Sequence, residues 1–264
     1  MGVRGPGGQF DGVVAIGGDG TINEVVNGFF DDAGAPIAPD AALGVIPYGT
    51  GGDFRRTLAL PTELAAAAAV IAADHRRKLD VGRLAFTDHD GRPAQRMFIN
   101  IASFGVSGEV VRLVNQSGKK LGRLSFALAT ARATWAYTNQ RVQLVFDGAD
   151  RVEATINTVA VANARYFGGA MKVAPDAEPD DGVFDIVAMG DFGFGDLLKS
   201  GRRIYQGSHV TMDKVTSRRA RVVEAEPIDL GAVIHLDVDG ENPGRLPARF
   251  EIVPQALWVV APAT

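Results

Sequence analysis

An α/β domain followed by a β-rich, sandwich-like domain is the architecture this sequence predicts. Three observations lead to it. Val13–Ile16, largely β-branched, and Leu43–Pro47 are short apolar runs, and each stops at a glycine-rich turn that leads into a helix-like pattern. From about Leu84 onward, strand-like runs follow one another with few helical stretches between them, as in an antiparallel sandwich or barrel. The 264 residues are enough for two ordinary domains, and 46% apolar with 22% charged residues describes a globular chain with a large core.

Composition excludes several classes of function. A net charge of −4 lacks the basic excess of a general nucleic-acid binder, so no nucleic-acid partner is expected. The absence of cysteine excludes disulfides and thiolate metal sites and suits a reducing cytoplasm. His75, His89, His209 and His235 have no metal-ligand spacing. No run reaches the length of a transmembrane segment and no signal peptide opens the chain, so a membrane would be met from its surface.

The glycine-rich opening, Met1–Gly8, reads as a loop. Val13–Ile16 then forms a buried strand, and Gly17-Gly18-Asp19-Gly20-Thr21 turns into a helix with Ile22, Val25 and Val26 on one face. Thr21 is placed to cap that helix, with Glu24 three residues on. Strand, glycine turn and helix N-terminus make an anion site, because glycine allows close backbone approach and the free N–H groups face the ligand. The turn is neither a Walker loop nor the dinucleotide fingerprint. Asp19 would repel a bare phosphate, so it calls for a metal, a proton to take up, or a ribose hydroxyl.

Leu43–Pro47 delivers a second such turn, Tyr48-Gly49-Thr50-Gly51-Gly52-Asp53-Phe54, followed by a short helix over 55–60. Thr62 is expected to cap an alanine-rich helix over 63–73, and a third strand over 78–84 carries Asp80. Strands alternating with helices imply a parallel sheet with its ligand loops at the carboxyl ends. A boundary near 82–90 divides the chain into domains 1–83 and 84–250, with 251–264 packing back on the first. In the second domain only two helices are expected. Lys119–Tyr137 carries a basic face of Lys119, Lys120, Arg123 and Arg132, and Phe194–Gln206 packs through Leu197, Leu198 and Ile204. Asp191-Phe192-Gly193 spells a protein-kinase metal triplet, but no catalytic loop of that family accompanies it.

Two further acidic stretches have chemical potential. Pro179–Asp185 sets three carboxylates around a turn, enough oxygen for a hard cation or for a polar hairpin. Val238-Asp239-Gly240-Glu241 follows an apolar strand and puts a glutamate at a turn tip.

Together these pieces resemble the diacylglycerol kinase catalytic domain, shared by bacterial lipid kinases and sphingosine kinases. The matching stretches are Gly17–Gly28, Pro47–Phe54, Asn100-Ile101-Ala102, Phe167–Met171, Ala174–Ala177 with Asp181-Gly182, and Asp239-Gly240-Glu241. The resemblance implies an N-terminal sheet of the NAD-kinase and phosphofructokinase kind, lacking its first β-α unit. It implies transfer of the ATP γ-phosphate to the hydroxyl of diacylglycerol or a related lipid at the membrane surface, with Mg²⁺, by a homodimer peripheral to the membrane. Gly17, Gly18, Asp19, Gly20, Thr21, Ile22, Asn23, Glu24, Val25, Gly49 and Thr50 would contact the nucleotide. Asp19, Asp53 and Asp80 would organise the catalytic ion, and Glu241 would be the general base. Glu178, Asp181 and Val183 would hold a structural Mg²⁺, the first and last through backbone carbonyls if need be. The stretch over 104–128 would form the lip of the lipid pocket. Two features depart from the family. Only about a dozen residues precede the first glycine strand, where the family has a further strand–loop–helix–strand unit, and Gly52 stands where asparagine is usual. The glycine loop alone also suits a kinase of NAD or of a small soluble alcohol. A nucleotide- or lipid-binding remnant without activity is the third reading.

Overall fold

The computed structural model describes residues 2–4, 10–49, 52–116 and 134–263. It begins with β1 (Gly2–Arg4), β2 (Phe10–Gly17), α1 (Asp19–Asn27), β3 (Ala42–Pro47), α2 (Asp53–Thr57), α3 (Leu64–Ala73) and β4 (Arg76–Asp88). There follow β5 (Pro93–Phe98), β6 (Ile101–Gly105), α4 (Val106–Gln116), β7 (Gln140–Phe146), β8 (Asp150–Ile156) and β9 (Thr158–Ala162). The chain continues through β10 (Phe184–Met189), α5 (Phe194–Gln206), β11 (Val215–Ala220), β12 (Val222–Pro227), β13 (Leu236–Val238) and β14 (Gly244–Val260).

The N-terminal part is α/β and the C-terminal part an antiparallel sandwich, as expected, but the sheet that joins them is mixed. Among the described residues its strands run β1-β2-β3-β14-β12-β7-β8, with β4 beside β14 and β5 beside β4. Of these described strands, only β2, β3 and the end of β14 are parallel neighbours. The long strand β14 makes the difference. Its Leu257–Val260 end pairs with β4 and β3 in the first core, while its middle, Arg249–Phe250, pairs with β12 in the second. A bulge between Val253 and Leu257 reorients the strand between these two tasks. The second sheet, β11-β10-β9-β6-β13, is antiparallel throughout.

Packing follows from alternation. In the first core α1 buries Ile22 and Val26 against Ala15, Val45, Leu79 and Val259. Gly12 fits because a Cβ there would stand 2.5 Å from the Ala42 carbonyl oxygen on the neighbouring strand. The second core lies between the two sheets. Phe98 stacks on Phe184 with centroids 5.5 Å apart, and Phe104 on Phe250 at 5.9 Å. All four rings are fully buried, each contributing about 1.5–3 kcal/mol by removal from water. A third cluster, with Val173, Val187, Phe192 and Ile204, lies beneath α5. Phe192 of the kinase-like triplet is thus a core residue, and Asp191 accepts a hydrogen bond from Asn139 (2.7 Å).

Several local expectations are corrected. The N-cap of α1 is Gly18, with no side-chain cap, and Thr21 lies inside the helix. Glu63 rather than Thr62 caps α3, its carboxylate accepting from Ala66 N at 2.8 Å. The run over 151–162 is two strands, broken at Asn157, whose amide donates to Met189 O and Gly190 O (both 2.9 Å). Helix α4 has no counterpart among the expected elements. It starts straight from the strand β6 because Gly105, at φ +106°, turns the chain. The expected helix over 119–137 lies mostly outside the described residues.

Candidate active site

Two glycine loops meet at the carboxyl ends of β2 and β3. Tyr48 N donates to Gly17 O (2.9 Å), and Gly49, at φ +152°, lies so close that a Cβ on it would stand 3.5 Å from the Gly18 α-carbon. Gly17 must be glycine, since a Cβ there would fall 2.5 Å from Thr21 Oγ1, whereas the side of Gly18 is open. The first N–H groups of α1 point into this space, where a helix N-terminus favours an anion. Gly17, Gly18, Gly20 and Gly49 therefore share one mouth; Thr50 lies outside the described residues. The other residues expected there do not offer their side chains to it. Ile22 and Val25 pack into the first core, Asn23 is fully buried, Thr21 is exposed on the helix, and Glu24 pairs with Arg96.

The carboxylates expected to organise an ion each accept main-chain N–H groups from another loop. Asp19 accepts from Gly52 N (2.8 Å), Asp53 N (3.0 Å) and Phe54 N (3.1 Å), so the first glycine loop holds the second by capping α2. Gly52 adopts φ +72°, where glycine and asparagine are the residues best tolerated, which accounts for its place in the motif. Asp53, almost buried, repeats the device. It accepts from Gly169 N (2.8 Å) and Ala170 N (2.7 Å) in the turn closed by Phe167 and Met171, and pairs with Arg56 at 3.0 Å. Asp80, fully buried, accepts from Gly182 N and Gln255 N (both 2.7 Å), tying the acidic turn to the bulge of β14. Burial raises its pKa, with the two N–H bonds opposing. Asp19 and Asp53 are neighbours; Asp80 belongs with the acidic turn. Among the described residues no three acidic or histidine side chains come close enough to share an ion.

The acidic turn itself is neutralised by arginines. Glu178 pairs with Arg165, Asp181 with Arg219, and Asp180 with Arg77 at 2.7 Å. Asp181 also accepts from Val183 N at 3.2 Å. A cleft of about 460 Å³ beside them is lined by Asp176, Asp185 and Arg218 as well. As arranged, the Glu178 and Asp181 side chains both face guanidinium groups, and a cation there would draw on the carbonyls of the turn as well.

Glu241 reaches the mouth from the opposite side. Val238 N donates to Glu241 O (2.8 Å) and Glu241 N to Val238 O (3.0 Å), closing a two-residue hairpin in which Asp239 and Gly240 both have positive φ. The Glu241 carboxylate comes within 3.5 Å of where a Cβ on Gly20 would stand. Beneath it, Asp239 accepts from Ile99 N, Asn100 N, Ile101 N and Asn23 Nδ2, and burial raises its pKa to about 6. Asp237 accepts from Gly240 N (3.0 Å), and burial raises its pKa to about 8. Sequence reading gave no role to Asp239, Asp237, Arg96 or Asn163, whose Nδ2 donates to Asp80 O and Ile99 O. Asp239 alone had a local signal, an Asp-Gly pair after an apolar strand.

A parallel strand pair that feeds glycine loops onto a helix N-terminus, faced by a carboxylate from an adjoining sandwich, defines an architecture of the NAD-kinase fold. The fold of yeast NADH kinase is alike (TM-score 0.55, 12% identity, 97% of this chain and 63% of that one), a likeness of fold alone. The diacylglycerol kinase catalytic domain profile matches residues 4–84, and the YegS C-terminal NAD kinase beta sandwich-like domain profile matches residues 100–261. Diacylglycerol kinases of Bacillus subtilis and Mycobacterium tuberculosis are 31% and 30% identical, over 96% of this chain and 78% and 77% of theirs. A solved structure from Bacillus anthracis, assigned as a diacylglycerol kinase, superposes with a TM-score of 0.73 at 26% identity, covering 96% of this chain and 78% of that one. The chain belongs to the diacylglycerol kinase family of lipid kinases.

Proposed function

We propose that this enzyme transfers the γ-phosphate of ATP to the free hydroxyl of diacylglycerol or a closely related lipid. The observation that carries the reading is the approach of the Glu241 carboxylate to Gly20, at the N-terminus of α1. An anion-binding helix end and a proton acceptor there face one small space, which phosphoryl transfer to an alcohol requires. Main-chain N–H groups of residues 17–21, with Gly49 and Thr50, hold the phosphates. The lipid oxygen bonds to the γ-phosphorus as the bond from that phosphorus to the β-bridging oxygen breaks. ADP leaves, and Glu241 takes the hydroxyl proton late in a loose transition state. Asp19 and Asp53 act by holding the loops in place. A Mg²⁺ bound to the nucleotide would neutralise charge on the phosphates, while Asp19 and Asp53 accept from main-chain N–H groups beside them.

Residues 1–83 handle the nucleotide and 84–250 the lipid; two hydrophobic cores support a division of this kind, with Met97 and Ile99 reaching into the first and Ile252 into the second. The small apolar cluster of Val106, Val110, Leu113, Val114 and Tyr137 on and beside α4 supports a lipid-accepting lip. No helix among the described residues is long and apolar enough to cross a membrane, and the lipid is taken from the membrane surface.

Label transfer from radioactive ATP to diacylglycerol in mixed micelles tests the reading. Phosphatidic acid is the expected product, and Glu241→Gln should lower kcat by about 100-fold or more with ADP affinity nearly unchanged. Label in NAD or glycerol, with none in lipid, would overturn it.

A further inference from the structure

Asp239 has no part in that reaction, yet it is among the most heavily bonded acids of the site. Its Oδ1 accepts from Asn100 N (3.2 Å) and Ile101 N (2.9 Å), and its Oδ2 from Ile99 N (3.1 Å) and Asn23 Nδ2 (2.7 Å). A carboxylate suits the position because it is acceptor-only on both oxygens; an amide would turn an NH₂ toward one pair of donors. The two-residue hairpin closes immediately afterwards, so pinning Asp239 also fixes where Glu241 emerges.

Asn23 supplies the other end. Its Oδ1 accepts from Arg96 Nε (2.9 Å), Arg96 Nη2 (2.7 Å) and Asn27 Nδ2 (3.2 Å). An oxygen so loaded fixes the amide orientation, leaving Nδ2 for Asp239 Oδ2 and Met97 O (3.2 Å). Asn23 is fully buried and lies three residues along α1 from Gly20, the residue beside the Glu241 carboxylate. The helix that would receive the phosphates and the turn that carries the base are thus joined by one buried hydrogen bond between residues 216 positions apart.

We propose that Asn23 and Asp239 form a positioning strut that sets the Glu241 carboxylate against the N-terminus of α1. The inference rests on the reading of Glu241 as the base. Asp239 is a positioning residue: it touches no reacting atom and acts through Glu241. A displacement of about 1 Å at a reacting group is enough to cost about 100-fold in rate.

The test is a double-mutant cycle on the full chain, following kcat, KM for ATP and ADP affinity. Asp239→Asn should lower kcat 10- to 100-fold, with KM for ATP and ADP affinity within about threefold of the parent. Exchanging the two side chains, Asn23→Asp together with Asp239→Asn, should recover about tenfold of that loss. The amide then sits on the hairpin and donates to a carboxylate on α1, which keeps Arg96 as its partner. In the Glu241→Gln background, Asp239→Asn should have no further effect on the residual rate. An equal fractional loss in both backgrounds, or an unchanged kcat in Asp239→Asn, would overturn the strut. If Asp239→Asn does not fold, Asn23→Asp, which removes the Nδ2 donor and keeps an oxygen for Arg96 and Asn27, carries the same cycle. Full activity in Glu241→Gln alone would instead sink the base assignment, a separate outcome.

Discussion

Replacing Asp19 by alanine separates a loop-holding role from an ion-organising one. The substitution leaves three N–H groups, those of Gly52, Asp53 and Phe54, without their acceptor. Loss of one N-cap side chain costs about 1 kcal/mol, and each hydrogen bond to a charged group contributes about 1.5–3 kcal/mol. The loop mouth is half-exposed, so water replaces part of this, and a net loss of about 2–3 kcal/mol is expected. For a chain of this size that corresponds to roughly 5–10 °C in Tm. Asp19→Asn keeps one acceptor oxygen and should lose about half as much. Thermal melting followed by circular dichroism, without nucleotide or metal, reads the effect directly. A Tm unchanged to within about 1 °C in Asp19→Ala would refute the loop-clamp account and return Asp19 to a purely chemical role.

Two further predictions use other parts of the fold. Gly108→Ala in α4 gains about 1 kcal/mol of helix propensity, yet the new Cβ would stand 2.0 Å from the backbone oxygen of His235. The structure therefore predicts destabilisation of about 1–3 kcal/mol in a urea titration, and a stabilised variant would show that α4 does not lie this close to β13. Asp237 titrates near 8 when folded and at the usual carboxylate value when unfolded, so the folded state holds more protons between these limits. Its contribution is fully present at low pH and is lost as pH rises through about 8. Asp237→Asn, which can still accept from Gly240 N, should thus raise Tm more at pH 8 than at pH 5. A difference that does not grow between those values would count against a buried, protonated Asp237.

Much of the fold could be read locally. The apolar runs before Gly17 and before Gly49 are the strands β2 and β3, and the Asp-Gly pair at 239–240 is a tight hairpin turn because both positions need positive φ. Helix α4 is hidden in the sequence because it follows β6 with no polar linker, and the turn depends on Gly105 alone. The mixed character of the joining sheet is equally hidden. Nothing in the run Gly244–Val260 states that one end pairs in parallel with β3 while the middle pairs antiparallel with β12.

The sequence by itself determined the glycine loops, the strand-to-helix turns, the acids that accompany them and the family they belong to. Those features depend on backbone conformations that particular residue types permit or forbid within a few positions. Only the tertiary structure decided which groups each acid bonds. Asp19, Asp53, Asp80 and Asp239 look alike in sequence, each an acid near a glycine or an apolar strand. Their partners lie on other loops, from 33 positions away for Asp19 and Gly52 to 216 for Asp239 and Asn23. A buried carboxylate must find donors wherever the folded chain brings them, and that pairing arises only when the two cores assemble around β14.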